Sequence, residues 1–116
     1  MILVIGGAYS GKREYVVSKL GFSEADISND VGGNTPVLSD LHQLLREAED
    51  TDALILRLLE KKVVICDEVG CGIVPAERAD RIWRERVGRT CCLLAEHAEA
   101  VVRLNCGIAS VIKGEI

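Results

Sequence analysis

Ile2-Leu3-Val4-Ile5-Gly6-Gly7-Ala8-Tyr9-Ser10-Gly11-Lys12 is the stretch that decides the fold. Its unbroken aliphatic run through Ile5 is the mark of a strand buried on both faces. Gly6 to Gly11 form a turn, and Lys12 to Leu20 then read as a helix with Tyr15, Val16, Val17 and Leu20 broadly on one side. Lys19 falls in its last turn, and Gly21 is placed to end it as the C′ residue. Strand, glycine turn, helix is how α/β domains begin.

Downstream, the same alternation continues. Residues 22–37 carry loop signals in Gly32-Gly33-Asn34 and Pro36, with Asp26-Ile27-Ser28-Asn29 giving at most a short edge strand. A helix opening at Thr35-Pro36 or Ser39 is expected, with Leu38, Leu41, Leu44, Leu45 and Ala48 at helical spacing, and a second from Asp52 to Lys61. Lys62 to Asp67 is a β-branched strand ending in acids, and a loop from Gly70 to Pro75 leads to the longest helix, about Ala76 to Ala98. Trp83, Val87, Cys91, Leu94 and Ala98 make its inner stripe. Ala100–Leu104 and Ala109–Lys113 read as two short strands. The expected fold is a three-layer α/β/α sandwich around a small, mainly parallel sheet, with residues 1–116 forming a single domain.

Composition narrows the function. At 116 residues, 48% hydrophobic with a net charge of −4, the chain can bury one core and is not expected to be disordered. No apolar run approaches the roughly 20 residues of a membrane span, and the N-terminus carries no basic leader, so a soluble, cytoplasmic protein is expected. The acidic balance and only four aromatic residues argue against nucleic-acid and membrane partners. The five cysteines form no C-x-x-C pair and are read as buried, reduced thiols; a zinc site from Cys91, His97 and Cys106 lacks the usual ligand spacing.

The chemistry lies in the glycine turn. Gly6, Gly7, Ala8, Tyr9, Ser10, Gly11 and Lys12 spell G-x-x-x-x-G-K between a strand and a helix, the context in which this motif binds phosphate. Successive backbone N–H groups line one concavity, the helix N-terminus adds partial positive charge, and Lys12 reaches the outer phosphates. The bland alternative is a turn that binds nothing. Position 13 departs from the motif: Arg13 stands where a Ser or Thr hydroxyl would coordinate Mg²⁺, and its guanidinium can pair with phosphate instead. Val63 to Glu68 has the form of a Walker B strand, so Asp67 is the candidate for Mg²⁺ and Glu68 for taking a proton from an attacking hydroxyl. His97 suits a helix C-terminus without any function, and His42 is weighed as a covalent nucleophile only against a structural reading.

These residues also carry a resemblance. Ile2 to Lys12 is similar to the opening of the bifunctional adenosylcobinamide kinase/adenosylcobinamide-phosphate guanylyltransferases of cobalamin biosynthesis. Glu68-Val69-Gly70-Cys71-Gly72-Ile73-Val74-Pro75, an E-V-G-x-G-I-V-P loop, resembles that family more particularly. Arg86-Val87-Gly88-Arg89 and Cys106-Gly107-Ile108 to Lys113 continue it, so the resemblance covers about residues 1–20 and 55–114. It implies a P-loop-type fold, assembly as a homo-oligomer (typically a trimer), GTP or ATP at residues 6–13, and adenosylcobinamide as substrate. Lys12 would lie on the outer phosphates, with Glu68 and its loop beside the reacting groups. Family members are longer between the first helix and the strand at 62, where the guanylylated histidine resides. That role is not carried over to His42, so guanylyl transfer is expected to be lost. Three readings follow: a nucleotide-dependent phosphotransferase, a non-catalytic nucleotide- or anion-binding paralogue working through a protein partner, and a structural relative with no ligand.

Overall fold

In the computed structural model, residues 1–48, 50–69 and 75–116 are described. The elements run β1 (Ile2–Gly6), α1 (Lys12–Ser18), a 3₁₀ turn (Glu24–Asp26), β2 (Ile27–Ser28) and β3 (Val37–Leu38). They continue with α2 (Leu41–Glu47), α3 (Thr51–Leu59), β4 (Val63–Asp67), α4 (Arg78–His97), β5 (Ala100–Asn105) and β6 (Ile108–Lys113). One six-stranded sheet has the order β2-β3-β4-β1-β5-β6, parallel throughout except for the antiparallel β5–β6 hairpin. Central β1 pairs Ile5 with Cys66 and Gly6 with Asp67, which sets the glycine turn beside the acidic end of β4.

Two apolar layers sandwich this sheet, as the three-layer reading expects. Leu3, Val64, Cys66 and Val101 point toward α2, α3 and α4, where they meet Leu41, Leu45, Leu58, Val87 and Leu94. Val4, Val63, Ile65, Val102 and Leu104 point the other way, onto Val16 of α1. Strand alternation makes both faces apolar, so β1 and β4 read as continuous aliphatic runs. The chain ends α1 at Ser18, two residues before the expected end: Gly21 takes φ +80°, and the Phe22 N–H donates to the Val16 carbonyl at 3.3 Å. Lys113 donates to the Ala95 and Glu96 carbonyls, tying β6 to the end of α4.

The expected helix across Leu38 is a misreading. Leu38 lies in β3, opposite Val64, and the helix begins only at Leu41 after Asp40 turns the chain at φ +57°. Leu38 does stand three and seven positions from Leu41 and Leu45, so the period fits a helix. Sheet pairing wins because the Pro36 carbonyl accepts the Lys62 and Val63 N–H groups and draws Val37 into register with Val63. Long-range pairing of this kind leaves no local period to read.

The cysteines fit no shared role. Cys66 is buried on β4, Cys91 packs against the same core, and Cys92 and Cys106 are exposed. Hydrogen bonding to Cys91, reinforced by burial, pushes the Cys66 thiol up, and the same contact lowers Cys91. Among the described residues, no group of three or more His, Cys, Asp or Glu side chains is gathered as for a metal, and no helix is long and apolar enough to cross a membrane. Cys71 and the rest of residues 70–74 lie outside the described residues.

Candidate functional site

At the carboxyl edge of β1 and β4 a hollow of about 420 Å³ is lined by Tyr9, Lys12, Ser39, Asp40, His42 and Asp67, among others. This is the edge at which open α/β sheets bind ligands. Its floor is the glycine turn. Gly6 leaves no room for a side chain, since a Cβ there would sit 2.5 Å from Ser10 Oγ and 2.7 Å from the Leu104 carbonyl oxygen. Gly11 caps α1 at φ +94°, a left-handed conformation suited to glycine. The turn at Cys106-Gly107 braces it from below, its Gly107 N–H donating to the Ser10 carbonyl at 2.8 Å. Ala8 and Tyr9 form the rim, with Tyr9 at φ +58° and its ring wholly exposed.

Lys12 turns back into this floor. Its side chain is 7% exposed, and Nζ lies 2.6 Å from the Gly7 carbonyl, 3.4 Å from Ser10 Oγ and 2.8 Å from Asp67 Oδ1. An ammonium has three protons, and these three oxygens match them. Asp67 also meets His42 twice: its N–H donates to Nδ1 at 3.2 Å, and Oδ2 is 3.4 Å from Nε2.

Asp67 ends β4, and Glu68, the next residue, takes a different partner. Glu68 is clasped by Arg103 of β5, Nε to Oε1 at 2.8 Å and Nη2 to Oε2 at 3.0 Å. Arg13, which also lines the hollow, pairs with Glu24, 2.7 Å from its Oε2, and this hydrogen bond raises the guanidinium above its ordinary pKa. The residues present do not fit a divalent cation held by side chains. Arg13 offers no lone pair, and Asp67 already gives one oxygen to Lys12 and sets the other toward His42.

Sequence reading pointed to Gly6–Lys12 and Asp67, which the structure brings together, but missed Arg103 and Gly107 and weighed His42 only as a nucleophile. Arg103 was legible as a charge inside the aliphatic run Val101–Leu104, an exception that calls for a partner. Gly107 appears only as a turn residue. The contact of His42 with Asp67 gave no local sign, since the two stand 25 positions apart.

An aliphatic strand feeding a glycine turn, a lysine folded into that turn and a carboxylate on the adjacent parallel strand define a P-loop-type α/β domain. The model of the CobU family, described as cobinamide kinase / cobinamide phosphate guanyltransferase, matches residues 30–112. The chain belongs to that family, whose members are transferases of cobalamin biosynthesis acting on nucleotide and cobinamide substrates. The match takes in α2 with His42, which the resemblance read from the sequence left out, and does not reach the glycine turn at residues 6–13. Comparison with curated proteins gives no match.

Proposed function

We propose that the chain binds GTP or ATP with its phosphates over Gly6–Arg13 and transfers the terminal phosphate to the hydroxyl of a cobinamide-type corrinoid. The observation that carries this reading is Lys12, buried at the centre of the glycine turn with its ammonium 2.8 Å from the Asp67 carboxylate. On binding, the ammonium exchanges Asp67 for a phosphate oxygen. Charge-assisted contacts of this kind are about twice as strong as neutral ones. The acceptor oxygen then bonds to the terminal phosphorus as the bond to the bridging oxygen breaks, releasing a nucleoside diphosphate. The hydroxyl proton passes to Glu68, which Arg103 holds in place. Guanylyl transfer is left out of the proposal, because His42 is buried and its Nδ1 already accepts the Asp67 N–H. A cytoplasmic setting belongs to the same reading.

The test follows the label. With γ-labelled GTP or ATP and adenosylcobinamide, label is expected in the corrinoid with wild type and not with Lys12→Ala. Nucleotide binding with no transfer would overturn the kinase reading. It would favour a second one, a nucleotide-holding paralogue acting through a protein partner, which two observations support: Arg103 already engages Glu68, and Glu24 already engages Arg13.

Self-association completes the proposal. β6 is a sheet edge with every residue exposed, including Ile108, Val111 and Ile112, and such edges are normally covered. Light scattering at micromolar concentration is expected to give a mass above that of one chain. A monomer would contradict it.

A further inference from the structure

We propose that Arg13 stands in for a divalent cation at this site, leaving Glu24 to pair with phosphate oxygens when a polyphosphate enters; this rests on the phosphate-binding reading above. In the P-loop pattern the lysine supplies one positive charge to the phosphates and a metal supplies the rest. Neither Arg13 nor the engaged Asp67 offers that metal a ligand. Among the described residues lining the hollow, Lys12 and Arg13 are set against Glu14, Asp40 and Asp67. Lys12 balances Asp67, so the second cation within an anion's reach is Arg13.

Glu24 holds Arg13 loosely. Nε and Nη2 of Arg13 both reach one oxygen, Oε2, at 2.8 Å and 2.7 Å. The Arg103–Glu68 pair instead matches two nitrogens to two oxygens, the fork geometry in which a guanidinium binds most strongly. Arg13 and Glu24 are also open to water, 48% and 66% exposed, and exposed pairs contribute little. A phosphate offers the fork that this single Glu24 oxygen does not, and it carries more charge. The exchange therefore favours the anion.

Nothing else in the fold depends on the Arg13–Glu24 contact. Asp26 accepts from the Ser23 N–H at 2.9 Å and from the Ser23 hydroxyl at 3.1 Å, which closes the 3₁₀ turn without the Glu24 side chain. Glu24 is thus a resting partner that keeps the guanidinium at the rim until an anion competes for it. Unlike a bound metal, this charge is part of the chain, and a chelator cannot remove it.

Inorganic tripolyphosphate, titrated calorimetrically with Mg²⁺ or with a chelator, is the probe. Wild type is expected to bind it as tightly in chelator as in Mg²⁺. Arg13→Ala should weaken binding in chelator about tenfold, and Arg13→Lys, which keeps the charge without the fork, should recover part of the loss. Glu24→Gln should tighten binding about twofold, and should change nothing in an Arg13→Ala background. Wild-type affinity in Arg13→Ala would overturn the proposal, as would wild-type binding that strengthens with Mg²⁺. Equal gains from Glu24→Gln in both backgrounds would mean that Glu24 acts only as bulk charge, and would overturn it too. Binding lost in Lys12→Ala but unaffected in Arg13→Ala would overturn this proposal alone. Failure of wild type to bind under either condition would overturn the phosphate-binding reading together with it.

Discussion

Lys12→Ala is expected to weaken GTP and ATP binding roughly 100-fold, the size of effect that losing one or two charge-assisted contacts produces. Two physical changes add. The phosphates lose the ammonium, and Asp67 loses the partner now 2.8 Å from it, so a carboxylate faces the incoming anion uncompensated. Removing one member of a buried pair costs about 3–5 kcal/mol, but Asp67 is a quarter exposed, so solvent reduces the stability loss to about 1–2 kcal/mol. Lys12→Arg should not rescue binding, because the Gly7 carbonyl and Ser10 Oγ leave a space fitted to a point charge. Calorimetry on folded variants, with the thermal midpoint measured beside it, separates the binding effect from the stability effect.

Gly6→Ala has the largest expected effect on the fold. The added methyl would meet the Leu104 carbonyl oxygen at 2.7 Å, and that atom belongs to β5, the neighbour of β1, so it cannot move without parting the central strands. The clash with Ser10 Oγ at 2.5 Å is relieved by rotating a side chain; the carbonyl clash is not. Overpacking of this kind costs about 3 kcal/mol, at the upper end of its range. For a domain of this size that corresponds to a drop in Tm on the order of 10 °C. A thermal midpoint within a degree or two of wild type would contradict the packing described for the turn. Gly7→Ala is the control, since nothing lies within 4 Å of a Cβ there.

What could be read from the sequence and what could not divide along a physical line. β1, β4, α4 and the glycine turn announce themselves because their signals are local: aliphatic runs, a helical stripe, glycines at a fixed spacing before Lys12. Leu38 misleads because its spacing to Leu41 and Leu45 satisfies a helix while its true partner, Val64, is far along the chain. Asp40 takes a left-handed conformation that no rule assigns to aspartate in advance. The site divides in the same way. Gly6–Lys12 and Asp67 are legible from type and spacing, whereas the Glu68–Arg103 pair joins residues 35 positions apart and the hydrogen bond from the Asp67 N–H to His42 joins residues 25 apart. The E-V-G-x-G-I-V-P loop, the most particular part of the family resemblance, runs largely through residues 70–74, outside the described residues.

The most direct test of the central claim, a phosphate site organised by Lys12, is calorimetric titration of GTP and ATP into wild type and Lys12→Ala, each with and without Mg²⁺. The account predicts micromolar binding by wild type that persists without Mg²⁺, because Arg13 and the engaged Asp67 do not make a cation site, and that is lost in Lys12→Ala. Wild-type binding that is indifferent to Lys12, or the absence of any binding, would contradict it and leave the glycine turn as an element of the fold alone.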